Sequence, residues 1–85
     1  MTLEKRFEDA QSRVQALSSR PSSEKLLELY GLYKQATSGD ADGKRPGMLD
    51  LKARAKYDAW AARTGMPRER AMEAYVALVD ELTRG

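Results

Sequence analysis

Two pairs of positions, each four residues apart, carry side chains suited to a ligand that is both phosphorylated and aromatic. Tyr30 and Lys34 form the first pair, and Lys52 and Lys56 form the second. Residues four apart share one face of a helix, so each pair would present its side chains together. Ammonium groups form charge-assisted hydrogen bonds with phosphate, and aromatic faces stack on bases. The spacing therefore favours a cleft for a nucleotide phosphate and an adjoining purine, with Tyr33 at its border.

The same residues also have a plainer interpretation. Lysines four apart on a small helical protein usually form a solvated face. Tyrosines such as Tyr30 and Tyr33 are often core residues whose hydroxyl reaches water. From the residues alone, both interpretations stay open.

Four helical patterns organise the chain. They cover about residues 3–17, from 22 or 23 to 38, from about 50 to before 65, and 67–83. Apolar residues recur in the first at spacings of three and four, which is typical of one buried helical stripe. Residues 40–49 form a loop rich in Gly, Asp and Pro. We therefore expect an all-α fold, a small four-helix bundle with a long loop between the second and third helices, and one domain over residues 1–85.

Composition excludes several classes of function. The 85 residues include no cysteine and no histidine, and the net charge is +2. The sequence thus lacks disulfides, cysteine-based metal sites and the commonest general base, and we expect no metal, no cofactor and no catalytic residue. The charge is too small to argue for nucleic-acid binding. Residues 1–10 lack the apolar run of a signal peptide, and no stretch reaches about 18 apolar residues, so a soluble cytoplasmic protein is expected.

One long motif runs through the middle of the chain. Residues 33–40 read YKQATSGD, residues 41–44 ADGK, residues 45–50 RPGMLD and residues 52–60 KARAKYDAW. The order closely resembles the acyl-CoA-binding protein family, whose stretch reads YKQAT-x-GD, four variable residues, RPGMLD, then K-x-x-x-K-[WY]-D-A-W. The resemblance continues through AMEAYVALVDEL and covers nearly the whole chain.

The resemblance implies a non-catalytic, intracellular carrier of medium- and long-chain fatty acyl-CoA esters. It places the adenine ring and phosphates of the ligand on Tyr30, Tyr33, Lys34 and Lys56, with Lys52 as a more peripheral contact. It places Tyr75 near the acyl chain. Gly31 and Leu32 fall inside the matched ligand-binding segment. The positions that match groove-lining residues of the family are Phe7, Ala10 and Leu27, together with Gln15, which stands where the family often has a lysine.

Two alternatives follow from these patterns. Gly31 costs its helix roughly 1 kcal/mol against alanine, which points to a close approach by either a neighbouring helix or a ligand. The chain could also be a helical module that binds a protein partner through its Tyr and Leu face, without a small-molecule ligand.

Under the resemblance, the partners are long-chain acyl-CoA and, transiently, acyl-CoA-using enzymes or membranes, and the protein is a monomer that binds no nucleic acid.

Overall fold

Four α-helices make up the regular secondary structure of residues 1–84, the part of the chain that the computed structural model describes. Measured by length and apolarity together, none of these four helices could serve as a membrane span. The predicted all-α fold with a long loop between the second and third helices is confirmed. The helices are α1 (Leu3–Gln15), α2 (Ser23–Ser38), α3 (Leu51–Ala61) and α4 (Arg68–Arg84).

Side-chain caps define where the first three helices begin. Thr2, Ser22 and Asp50 each accept a hydrogen bond from the backbone N–H three residues later, with N···O distances of 3.1–3.2 Å. An N-cap of this kind satisfies one of the amide groups that the first turn of a helix leaves without a partner. These starts agree with the sequence prediction because the capping signal is local.

Two helices end earlier than the sequence predicts. α1 ends at Gln15 rather than at residue 17, and α3 ends at Ala61 rather than at residue 64. In both cases the chain tightens into hydrogen bonds between residues three apart. The Leu17 N–H donates to Val14 O at 3.4 Å, and the Thr64 N–H donates to Ala61 O at 3.1 Å. Such a tightened turn is common at helix ends, and apolar periodicity does not reveal it.

The helices pack in a definite order. α1 packs against α4, α4 against α2, and α2 against α3, so α2 and α4 form the central pair and the other two flank it. The arrangement is flat, with Cα extents of 38 × 28 × 14 Å. No residue of α3 is fully buried. The core comes from the other three helices, and its members are Phe7, Ala10, Leu29, Leu32, Ala36, Ala71, Tyr75, Val76, Leu78 and Val79.

Because α3 adds no fully buried residue, its position depends on close backbone contact with α2. A Cβ atom at Gly31 would overlap the carbonyl oxygen of Ala59 and lie 2.8 Å from its carbonyl carbon. Only a residue without a side chain allows the two helices to approach so closely. Of the two explanations for this glycine, the structure supports the neighbouring helix.

The long loop is tied to α3 by polar contacts. Arg45 donates to Asp58 through both Nε and Nη2, at 2.8 Å and 2.6 Å. The Trp60 indole N–H donates to Gly39 O at 2.7 Å. The hydrogen bonds from Arg45 hold the pKa of the Asp58 carboxyl below its ordinary value. The loop therefore adds to the attachment of α3.

A second polar cluster joins the end of α2 to the connection between α3 and α4. Asp40 Oδ1 accepts hydrogen bonds from the Gly65 N–H at 2.8 Å and from Gln35 Nε2 at 2.9 Å. Gln35, almost fully buried, also donates from Nε2 to Met66 O at 2.8 Å. The bond from Gly65, followed by the bond from Gln35, lowers the pKa of the Asp40 carboxyl.

The close approach at Gly31 predicts that Gly31→Ala destabilises the protein. Because the overlap is with backbone atoms of Ala59, it should cost about 3 kcal/mol, which exceeds the helix-propensity gain of roughly 1 kcal/mol and leaves a net loss of about 2 kcal/mol. Gly47→Ala is the matched control, since a Cβ there meets no atom within 4 Å. Urea unfolding, followed by circular dichroism, measures the unfolding free energies of both variants. Equal stability of the two variants would contradict the role given to Gly31.

The Asp40 cluster predicts a specific dependence on pH. The pKa of the Asp40 carboxyl in the folded protein lies below the ordinary value of 3.8. The ionised carboxylate therefore stabilises the fold at pH values above 3.8. This stability is lost as pH falls through the folded pKa. Between about pH 5 and about pH 3, the unfolding free energy of Asp40→Asn should therefore fall less steeply than that of the wild type.

Asp40→Ala separates the charge of Asp40 from its hydrogen bonds. Alanine removes the acceptor as well as the charge, so this variant should be less stable than Asp40→Asn at neutral pH, where asparagine keeps an acceptor oxygen. If the unfolding free energies of the wild type and Asp40→Asn fell in parallel with pH, the Asp40 carboxylate would contribute nothing to acid unfolding.

Candidate ligand-binding site

A cleft between α2 and α3, together with the turn before α2, combines apolar, aromatic and cationic side chains. Its volume is about 250 Å³. None of its eight lining residues carries a carboxylate, and three are cationic, so the cleft suits a ligand with both apolar and anionic parts. We call this hollow the interhelical cleft, and it is lined by Arg20, Ser23, Leu26, Leu27, Tyr30, Lys52, Ala55 and Lys56.

Helical spacing brings these side chains to one opening. Leu26 and Tyr30 are four apart on α2, and Lys52 and Lys56 are four apart on α3, so each pair shares a face. α2 and α3 pack against each other, and the two faces meet at the cleft. The predicted grouping of Tyr30 with the two lysines of the third helix is therefore present in the fold.

Two lysines cross between α2 and α3 in opposite directions. Lys56 Nζ of α3 lies 5.5 Å from the centroid of the Tyr30 ring on α2. Lys34 Nζ of α2 lies 4.7 Å from the centroid of the Trp60 ring on α3. Within residues 1–84, neither lysine takes part in a salt bridge. Both ammonium groups thus sit at one interface with the capacity to bind an anion.

A second group of predicted site residues lies in and above the core. The Phe7 ring contacts the Tyr33 ring at a centroid distance of 6.1 Å and the Tyr75 ring at 5.1 Å. Tyr33 is 38% exposed, whereas Phe7 and Tyr75 are each 5% exposed. Burial, with a smaller contribution from Tyr33, raises the pKa of the Tyr75 hydroxyl. Tyr33 is thus the accessible edge of an aromatic cluster between α1, α2 and α4.

The remaining predicted site residues differ in accessibility. Ala10 and Leu32 are core residues, and Gly31 lies against α3. Leu27 lines the interhelical cleft. Gln15 is exposed and lies outside that cleft. A direct contact between any of these residues and a ligand stays a prediction.

Gln15 lines a second hollow that adjoins the first. This hollow has a volume of about 440 Å³ and shares Arg20 and Leu26 with the interhelical cleft. Arg13, close to Gln15 in sequence, points to α4 instead, because its guanidinium donates to Asp80 at 2.8 Å and to Thr83 at 2.6 Å. The second hollow is lined by Val14, Gln15, Leu17, Ser18, Ser19, Arg20, Pro21 and Leu26.

The sequence analysis did not identify every residue that lines the interhelical cleft. Leu26 and Ala55 share helix faces with Tyr30 and Lys52, so the spacing of three or four residues was enough to find them. Arg20 lies in the turn between α1 and α2, where no periodicity assigns a side chain to a face. Within residues 1–84, no group of three or more Asp, Glu, His or Cys side chains is arranged to hold a metal ion.

Comparison with known proteins decides the family. The family model described as acyl CoA binding protein matches residues 4–79. The chain belongs to the acyl-CoA-binding protein family. An acyl-CoA-binding protein homolog of Manduca sexta is 52% identical over 83 residues, which are 96% of this chain and 92% of that protein. The acyl-CoA-binding protein of Saccharomyces cerevisiae is 47% identical over 76 residues, 89% of this chain and 87% of that protein.

Solved structures of the family share this fold. The crystal structure of Oryza sativa acyl-CoA-binding protein 2 matches with a TM-score of 0.92 and 43% identity, over 96% of this chain and 89% of that one. The crystal structure of the family member from Moniliophthora perniciosa matches with a TM-score of 0.90 and 34% identity, over 99% and 82% of the two chains. The four-helix arrangement described above is therefore the fold of the family.

Proposed function

We propose that the protein binds medium- and long-chain fatty acyl-CoA esters and carries them without chemical change. The observation that carries the proposal is the position of Lys52 and Lys56 beside Tyr30 in one cleft that has no carboxylate in its lining. An adenosine carrying phosphates supplies both the aromatic ring and the negative charge that such a lining can bind. Membership of the acyl-CoA-binding protein family supports the same ligand and a binding role rather than an enzymatic one.

The nucleotide head would bind at the interface of α2 and α3. Lys34 and Lys56 would donate to phosphate oxygens, and the Tyr30 hydroxyl would assist them. Each ammonium group lies over an aromatic ring and forms no salt bridge within the described chain. Tyr30 and Tyr33 would hold the adenine, and Lys52 would make the more peripheral contact.

The acyl chain would supply much of the affinity. Leu26 and Leu27 line the interhelical cleft, and Phe7 and Tyr75 form the aromatic floor beneath Tyr33. Burying one methylene is worth roughly 0.8 kcal/mol, so twelve would contribute about 10 kcal/mol before the opposing costs. The net gain is smaller, because the chain and the protein lose freedom on binding.

Three further properties stay predictions from the sequence. They are a single domain over residues 1–85, a monomeric state and a cytoplasmic location. Size-exclusion chromatography with light scattering tests the monomer, and fractionation of cells that express the protein tests the location.

Exchange of the ligand with a membrane is part of the same proposal. Met48, Leu49 and Leu51 are each more than two-thirds exposed and adjoin Lys52 of the cleft. Four Lys or Arg side chains of residues 43–57 take part in no salt bridge within residues 1–84, whereas Arg45 is paired with Asp58. Exposed apolar side chains among basic residues suit the surface of a membrane with anionic lipids. An acyl-CoA-using enzyme is the alternative partner for this surface.

If Lys56 binds a phosphate of the nucleotide head, Lys56→Ala should weaken the binding of every acyl-CoA by a similar factor. We expect a loss of affinity of about tenfold, because the nucleotide head is common to all acyl-CoA esters. Titration calorimetry with acyl-CoAs of graded length measures this factor, and free palmitate should bind poorly. Lys5→Ala is the control, since Lys5 is exposed on α1 and does not line the cleft. An effect of Lys56→Ala that grew with chain length would contradict the assignment.

The calorimetry also separates the proposal from its rival. A wild-type protein that gives no heat with palmitoyl-CoA, but is retained by a protein partner, would instead be a helical interaction module. Palmitate that bound as tightly as palmitoyl-CoA would overturn the division between head and tail.

The membrane contact predicts that Leu49→Ser reduces sedimentation with vesicles containing anionic phospholipid. Without the leucine side chain to bury in the membrane surface, the partition of the protein onto the vesicles should weaken roughly tenfold. Ala77→Ser, at an exposed position of α4, should sediment like the wild type. Equal sedimentation of Leu49→Ser and the wild type would exclude these side chains from the membrane contact.

A further inference from the structure

We infer that Arg20, in the turn between α1 and α2, is an additional phosphate-binding residue of this protein and supplies the positive charge that Gln15 lacks. The inference rests on the proposed function, since it concerns the same ligand. It concerns a residue outside the motif that carries the family resemblance. Its support is the position of Arg20 in the fold.

Arg20 stands at the boundary between the two hollows. It lines the interhelical cleft together with Lys52 and Lys56, and it lines the second hollow together with Gln15. Leu26 is the only other residue common to both linings. A ligand that occupies both hollows would therefore lie beside the apolar side chain of Leu26 and the guanidinium group of Arg20.

The charges around the cleft favour an anion at this boundary. Arg20, Lys52 and Lys56 line one hollow of about 250 Å³, and the lining has no carboxylate. The lining of the second hollow has none either. Within residues 1–84, Arg20 takes part in no salt bridge. Like charges gathered at one opening repel each other, and a bound phosphate relieves that repulsion.

The other nearby arginine cannot replace the missing lysine. Arg13 is held at α4 by Asp80 and Thr83, so it is not directed at either hollow. Arg20 is exposed and lies in the connection between α1 and α2. Its planar guanidinium can donate two parallel hydrogen bonds to one phosphate, which a lysine cannot do.

The first test is the affinity of Arg20→Gln for palmitoyl-CoA, measured by titration calorimetry at low and high salt. The variant should bind about tenfold more weakly at low salt, and its affinity should depend less on salt than that of the wild type. Arg20→Lys keeps the charge and should lose less. Arg70→Gln makes the same charge change at an exposed position of α4 outside both linings and should bind normally.

The second test identifies the chemical group that Arg20 contacts. Palmitoyl-pantetheine carries no phosphate, so Arg20→Gln and the wild type should bind it equally. Palmitoyl 3′-dephospho-CoA distinguishes the two phosphate groups. A loss of affinity that persists with this ligand assigns Arg20 to the diphosphate, and a loss that disappears assigns it to the 3′-phosphate.

The third test uses the neighbouring position. Gln15→Lys introduces a cation on the same hollow, so in the Arg20→Gln background it should restore part of the lost affinity for palmitoyl-CoA. Circular dichroism and thermal unfolding confirm that each variant is folded.

The outcomes separate the inference from the function on which it rests. If Arg20→Gln binds palmitoyl-CoA like the wild type while Lys56→Ala binds it weakly, Arg20 is a solvated residue and the proposed function stands. If the loss is equally large with palmitoyl-pantetheine, Arg20 acts on packing and the inference is wrong. If the wild type itself gives no binding, the proposed function fails as well.

Discussion

The close approach of two backbones at Gly31 is the constraint on which the candidate site depends. α3 contributes no fully buried residue to the core, so apolar packing alone does not fix its position. The contact between Gly31 and Ala59 brings α3 near enough for Lys56 to lie over Tyr30 and for Lys34 to lie over Trp60. A side chain at position 31 would push the helices apart and widen the cleft. Stability and binding geometry thus share one contact.

α3 is attached to the bundle mainly by backbone and polar contacts, and its lysines stay accessible. A helix held by an apolar stripe would bury one face, whereas α3 is held by backbone contact, by the ion pair of Arg45 with Asp58 and by the Trp60 hydrogen bond. Lys52 and Lys56 are both exposed and line the cleft. Exposed ion pairs add little stability each, so the geometry of this helix relies on several weak contacts acting together.

Local signals in the sequence were enough to predict some features and not others. The helix starts at Thr2, Ser22 and Asp50 were predictable because a cap acts within one turn. The early ends of α1 and α3 were not, because a tightened last turn leaves the apolar pattern unchanged. The pairing of Tyr30 with Lys56 follows from helix faces, but the depth of each residue does not. Spacing places Phe7 and Ala10 on a buried stripe of the first helix, but it cannot show which helices cover them, and it does not separate buried Leu32 from its partly exposed neighbours on a helix that is apolar over more than one face.

A phosphate requires a cation at a position in space, not at a position in a sequence. Because α1 ends at Gln15, the next residues turn instead of extending the helix, and the chain brings Arg20 beside Leu26. On this view, the absence of a lysine at position 15 and the presence of an arginine in the turn are two parts of one electrostatic arrangement. In the proposed complex, the positive charge would reach the phosphate of the ligand from the connection between α1 and α2 instead of from α1.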